Sequence, residues 1–227
     1  MFQVSGENAS LQFEVKDDGK LTVSGAFTDT SSTAEGSIVK VTGGSFGLFS
    51  NVILTGNNSS AKGAAIDCTS GQIALAGGTI TGNTGANGAV YSDSDILVEG
   101  TVTVNDNKIA DTQANIYLDK NAKFMITKDL TGSEISFTHA NAAENLQVVT
   151  VADSVTVTDF DSAVKQFKYD TEEYTLKADT ETTAVIKKVT TPSVSPSVSP
   201  SVSPSISPSI SAKPTANSNY DTFFPDL

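Results

Sequence analysis

The chain has no arginine, no tryptophan and a single cysteine, Cys68. All 14 of its basic residues are lysines, and 26 acidic residues oppose them, giving a formal net charge of −12. A nucleic-acid binder needs a basic surface and favours the bidentate guanidinium, so that class is excluded. The same acidity argues against docking on an anionic membrane surface. Without tryptophan the largest aromatic platform for a sugar ring is missing, and the five tyrosines are scattered. One cysteine forms no intrachain disulfide, and a lone thiol suits oxidising and reducing surroundings alike. No apolar run approaches the ~18 residues that span a bilayer, so no membrane insertion is expected.

Two further absences divide the chain. No glycine follows Gly132 and no proline precedes Pro192. Up to residue 190, short apolar alternations are separated by Gly, Asn, Asp and Ser, a pattern of short strands and turns with little helix signal. From Pro192 the sequence reads PSVSPSVSPSVSPSISPSIS, with prolines four apart. Proline at that density blocks helices and ladder pairing. Residues 191–227 are therefore expected to be an extended, disordered stalk or linker and tail; twenty polyproline-like residues reach roughly 60 Å at ~3.1 Å each.

What fills the first part is a repeat. Ile53–Asp67 reads ILTGNNSSAKGAAID, Thr79–Tyr91 reads TITGNTGANGAVY, and Val102–Tyr117 reads VTVNDNKIADTQANIY. Leu54, Ile80 and Val104 stand 26 and 24 apart, and Val39, Ile66, Val90 and Ile116 stand 27, 24 and 26 apart. Carried back one period, these columns reach Phe27 and Phe13, and a companion column runs Val15, Val41, Cys68, Ser92 and Leu118. A third set pairs Leu21, Phe46, Ile73 and Ile96 with Val23, Leu48, Leu75 and Val98. Three strands of three to five residues per period of about 25 mark a solenoid. The expected fold is all-β, a right-handed parallel β-helix over residues 1–132 whose coils bury their inner faces only against one another. Asn57, Asn83 and Asn107 fall in one column and are expected to stack as an amide ladder inside the turn. Cys68 is expected to point inward as a small filler, and His139 to lie beyond the rungs in a loop or cap.

Residues 133–190 read as a C-terminal β cap, with a helical turn at DSAVKQF and a hairpin of Tyr174–Lys177 against Ala184–Lys187. Val4 stands 23 before Phe27, so the first residues fall in mid-rung with no cap against open strand edges. This predicts a piece of a longer protein, with a signal peptide upstream.

The TGN…GAAI and TGN…GAVY rungs, followed by NIYL and a proline-serine stretch, resemble bacterial surface proteins with adhesin-like β-helix repeats of the broad pectin-lyase-like group. They are similar to polymorphic outer-membrane protein repeats, whose signature is Gly-Gly-Ala-Ile with a separate Phe-x-x-Asn. Gly63-Ala64-Ala65-Ile66 and Gly88-Ala89-Val90-Tyr91 each keep one motif glycine, and the rungs hold no Phe-x-x-Asn. The resemblance covers about residues 2–130 and speaks to fold better than to function. It implies an extracellular or cell-surface protein, adhesive or structural, with cell-wall association and host or matrix glycans or proteins as partners.

The resemblance also implies an enzyme alternative, since lyases of this group hold calcium with aspartates beside a basic residue and hydrolases cluster aspartates. Here the compact acidic cluster is Ser92–Asp95, which reads as a turn. Asp67 stands beside Tyr91 on the next rung, but no trio emerges. Asp17-Asp18, Asp93-x-Asp95 and Asp159-x-Asp161 lack calcium-loop spacing. Neither catalytic residues, nor a metal, nor a cofactor is expected. A remote alternative, ice binding, draws on outward columns Thr28, Thr55, Thr81, Asn105 and Ala26, Ile53, Thr79, Thr103. The expectation is a non-catalytic adhesin-like structural or binding module, with polysaccharide lyase or hydrolase as the alternative.

Overall fold

In the computed structural model, residues 1–25 and 36–190 are described. Ala26, Phe27, Thr28, the proline-serine stretch and the terminal Phe223–Phe224 pair lie outside them.

The first rung consists of β1 (Phe2–Val4), β2 (Ser10–Phe13) and β3 (Leu21–Ser24). In the next two rungs a long strand runs through a corner before a short one. These are β4 (Val39–Phe49) with β5 (Val52–Thr55), and β6 (Ile66–Ala76) with β7 (Gly78–Thr81). Then come β8 (Val90–Ser92), β9 (Ile96–Gly100) and β10 (Val102–Asn105). A small antiparallel pair, β11 (Lys108–Ile109) and β12 (Thr112–Gln113), bulges from the stack before β13 (Ile116–Leu118) and β14 (Phe124–Leu130). Next follow β15 (Glu134–His139), β16 (Gln147–Val151), the helix α1 (Phe160–Val164) and β17 (Phe167–Tyr169). An antiparallel hairpin, β18 (Tyr174–Ala178) and β19 (Thr183–Lys188), pairs through β19 with β16.

The strands stack in parallel register on three faces, a parallel β-solenoid whose regular part is about four turns. Face 1 aligns Val4, Val41, Cys68, Ser92, Leu118 and His139. Face 2 aligns Phe13, Leu48, Leu75, Val98, Ile126 and Val151. Face 3 aligns Val23, Leu54, Ile80, Val104 and Ile135. Alternation along each strand sends every second side chain inward. The inward set from Val39 to Ile126 is fully enclosed.

The first rung corrects the register carried back from the repeat. Val23, not Phe27, stands on Leu54; Phe2, not Phe13, stands on Val39; Val4, not Val15, stands on Val41; and Leu11 and Phe13 stand on Phe46 and Leu48. The reason is a longer connection between Ser24 and Val39. Val4 precedes Val41 by 37 residues, whereas the next three steps on this face are 27, 24 and 26. Extrapolating a constant period slid the first rung by one strand. Parallel pairing also continues past residue 132, through β15, β16 and β17. His139 accordingly ends a strand, buried, and is not in a loop.

The two ends of the core differ from its middle. Edge-on rings link Phe2, Phe13 and Phe46 at one end, with centroids 5.1 and 5.3 Å apart. At the other end Phe124, Phe137, Tyr169 and Tyr174 form a chain at 5.1–5.4 Å. Between them the columns are aliphatic except for Cys68 and Ser92 on face 1. The motif glycines have a steric cause. A Cβ on Gly63 would lie 1.9 Å from the Ile66 carbonyl oxygen, and Gly88 has φ +115° with the Ala114 carbonyl 2.8 Å from a Cβ position. Only glycine lets the chain fold back this closely.

Candidate functional site

Two polar columns run along the stack, one inside and one outside. The inner one lies at the corner between faces 3 and 1, where Asn57, Asn83 and Asn107 are buried. The Asn57 backbone N–H donates to Asn83 Oδ1 at 3.1 Å, and the Asn83 N–H donates to Asn107 Oδ1 at 2.9 Å. The Nδ2 groups donate across the turn, Asn83 to the Leu54 carbonyl at 3.1 Å and Asn107 to the Ile80 carbonyl at 2.9 Å.

The ladder has two further members. Asn107 donates through its backbone N–H and Nδ2 to Asn115 Oδ1, at 3.1 and 3.0 Å. Asn115 donates through the same pair to the two carboxylate oxygens of Asp170, at 3.0 and 2.6 Å. The backbone N–H groups of Asn57, Asn83, Asn107 and Asn115 all donate towards the following member of the ladder, so these bonds align and polarise one another. A carboxylate suits the acceptor end because it can take both donors at once. Burial pushes the Asp170 carboxyl above its ordinary range against the two Asn115 bonds, which pull it down.

The outer column lies on face 1, where Lys40, Asp67, Tyr91 and Tyr117 stand in register between the inward residues. The turn before β6 brings Lys62 over it. Lys62 Nζ lies 4.2 Å from the centroid of the Tyr91 ring and donates to Tyr91 Oη at 2.9 Å. Tyr91 Oη donates in turn to Asp119 Oδ2 at 2.5 Å. Tyr117 backs Tyr91, with centroids 6.0 Å apart and planes 14° from parallel. The hydrogen bond from Tyr91 holds the Asp119 carboxyl below its usual range, and burial followed by the bond to Asp119 raises the Tyr91 phenol. The bond to Tyr91 raises Lys62.

Asp67 is the exception. It is 6% exposed, and its Oδ1 has no hydrogen-bond partner. Burial raises its carboxyl above the ordinary value, with Lys40 and Lys62 opposing, although neither lysine forms an ion pair with it. Among the described residues the ion pairs are Lys120 with Asp93 at 2.5 Å and Lys128 with Glu99 at 2.9 Å.

The remaining sequence candidates are dispersed. Asp95 Oδ1 accepts from the Lys123 backbone N–H at 3.0 Å, and the Asp93 backbone N–H donates to the Cys68 carbonyl. Asp159 caps α1 through Ser162. Among the described residues no group of three or more His, Cys, Asp or Glu side chains is placed to hold a metal ion. Cys68 is buried and points inward, and its thiol is pushed up to about 11 by burial. Face 3 aligns Thr22, Ile53, Thr79 and Thr103 in one outward column, with Ser24, Thr55, Thr81 and Asn105 in the other. Sequence reasoning missed Asn115, Asp170, Lys62 and Asp119, none of which belongs to a repeating column.

The fold and its faces define a parallel β-solenoid protein. The chain matches no protein-family model, no curated protein and no solved structure. Among the described residues no helix is long and apolar enough to cross a membrane.

Proposed function

We propose that this chain is a non-catalytic binding and structural module of a secreted or cell-surface protein, adhesin-like, holding its ligands on the outer faces of a rigid stack. The observation that carries this reading is the segregation of chemistry among those faces. Through the regular rungs face 1 carries Lys40, Asp67, Tyr91 and Tyr117, of which Asp67 and Tyr91 are buried. Face 2 presents Ala74, Leu97 and Met125 in one column, with the Glu99–Lys128 ion pair beside it, and face 3 presents Thr and Asn side chains together with Ile53, without charge. Register fixes each column at the strand spacing of about 4.8 Å, and the amide ladder holds that register from within. Such faces suit repetitive partners, matrix glycans or proteins. The surface location rests on the likeness of the rungs and the proline-serine stretch to bacterial surface repeats.

The test is a binding array of matrix glycans and proteins. It is run beside assays for unsaturated ends and viscosity loss on acidic polysaccharides. Binding without turnover is the expected result. Turnover abolished by Asp67→Asn, Asp93→Asn or Asp95→Asn overturns the reading in favour of a lyase or hydrolase. Growth-shape assays on ice crystals separate the remote ice-binding alternative, which requires face 3 to arrest growth.

A further inference from the structure

The outer column of face 1 has one more acceptor than it has cations in contact. Asp93 is taken by Lys120. Asp119 is served by Tyr91, which is served by Lys62. Asp67 has a buried oxygen with no partner. Native proteins leave few buried polar atoms unpaired, and each one asks for an explanation. Burying a carboxylate without a donor is costly, so Asp67 is a poor choice for architecture alone.

The surroundings indicate what is missing. A tyrosine ring face attracts a cation through its quadrupole, and Tyr91 already holds the Lys62 ammonium in this way at 4.2 Å, with Tyr117 stacked behind it. The Tyr91 oxygen is made a stronger acceptor by its bond to Asp119. Asp67 is the register partner of Tyr91 on the next rung. Lys62 itself is exposed on the turn, while its backbone carbonyl is fixed by the Asn87 N–H at 2.8 Å. Its side chain can leave while the turn stays.

We propose that Lys62, Tyr91, Tyr117 and Asp67 form a binding site for a primary alkylammonium group, the lysine side chain of a protein partner, and that Lys62 is its tethered occupant in the free protein. An incoming lysine takes the Tyr91 ring and hydroxyl. The displaced Lys62 ammonium then moves to Asp67, its vacant acceptor, so that exchange supplies the contact that the free protein lacks. The net charge of −12 favours approach of such a partner. The alkyl stem of Lys62 already shows that an unbranched ammonium fits. The inference rests on the binding-module reading for its partner only; the site itself is tested without one.

The experiment titrates the full chain with n-butylammonium chloride at constant ionic strength. Tyrosine ring resonances are followed, with n-butanol as the uncharged control. Lys62→Met removes the tethered competitor and is expected to bind n-butylammonium about tenfold tighter than the wild type, the scale of one good cation–π contact. With Lys62 removed, the partnerless Asp67 oxygen is left to pair the bound ammonium, so adding Asp67→Asn to Lys62→Met is expected to return most of that gain, and n-butanol is expected to bind neither variant. Equal affinity in Lys62→Met and wild type overturns the site and leaves the binding-module reading standing, as does equal binding of n-butanol. A second comparison sets the peptide Ac-Gly-Lys-Gly-NH2 against a glucosamine trimer. The peptide is expected to bind tighter, and the reverse order overturns the assignment to lysine.

Discussion

The two polar columns follow the same rung spacing and differ in completeness. Along the inner corner Asn83, Asn107 and Asn115 each donate through their backbone N–H to the next side chain, and Asp170 takes the last pair of donors. Along face 1 Lys40, Asp67, Tyr91 and Tyr117 share the register, yet Asp67 keeps an oxygen without a partner. A fully satisfied buried network rigidifies and specifies one arrangement. A locally unsatisfied group departs from that rule, as Asp67 Oδ1 does and, among the described residues, the Ser37 hydroxyl, and such departures gather at sites of function. The ladder is therefore architecture, and the outer column is where a ligand is to be sought.

The largest expected effect lies in the ladder. Asn83→Ala strands the Asn57 N–H and the Leu54 carbonyl, both buried, and interrupts the aligned chain in mid-course. At about 1–3 kcal/mol for each stranded group, urea denaturation is expected to show a loss of about 3 kcal/mol. A loss below about 1 kcal/mol would mean that water substitutes freely and that the ladder does not hold the register. Next in size is Asp170→Ala, which strands both Asn115 donors. About 2 kcal/mol is expected by the same reasoning, with Asp170→Asn losing less because one acceptor remains. Equal losses for the two variants would show that the carboxylate is held by its packing and not as the terminus of the ladder.

These variants also mark what the sequence makes legible. Asn57, Asn83 and Asn107 can be read as a column because each follows the inward residue of a face-3 strand by three positions, after Leu54, Ile80 and Val104. The aliphatic columns are equally plain because a solenoid core repeats with its rungs. Asn115 is hidden because β15 runs from face 3 to face 1 without the usual turn, so the rung below Asn107 supplies no equivalent asparagine. Asn115 fills that place from beyond the β11–β12 excursion, in register with Ala89. Asp170 comes from non-repeating chain after β17. The first-rung register is hidden for the related reason that the Ser24–Val39 connection breaks the period. On face 1 Asp67 and Tyr91 could be paired by spacing, but Lys62 and Asp119 reach the cluster from flanking turns, and no period signals them.

Asp67→Asn probes the unsatisfied column and is expected to act in the opposite direction. Burial raises the folded-state pKa of Asp67 above its unfolded value of 3.8. The protonated form is thus favoured by folding, and its stabilising contribution is complete below 3.8 and lost as pH rises through the folded value. The amide does not ionise, so Asp67→Asn is expected to be more stable than wild type at pH 7, by about 1 kcal/mol. That advantage shrinks as the pH falls towards 3.8 and below. Chemical denaturation at a series of pH values measures it. An advantage that grows on acidification would show that Asp67 is ion-paired in solution and that the column is complete.

The smallest effect is expected one residue further along the same strand, where Cys68 points into the core while Asp67 points out. Its thiol is fully enclosed and pushed up to about 11 by burial. Thiolate is the reactive form, so at pH 8 a disulfide reagent is expected to label Cys68 only as fast as the rung opens, and at the free-thiol rate in denaturant. Cys68→Ala removes only the sulfur atom, and its stability is expected to stay within about 1 kcal/mol of wild type. Labelling in native buffer at the rate of a free thiol would show that the β6 strand does not seal the core from face 1. The separation of an inner, complete lining from an outer, incomplete one would then fail at the rung where both linings meet.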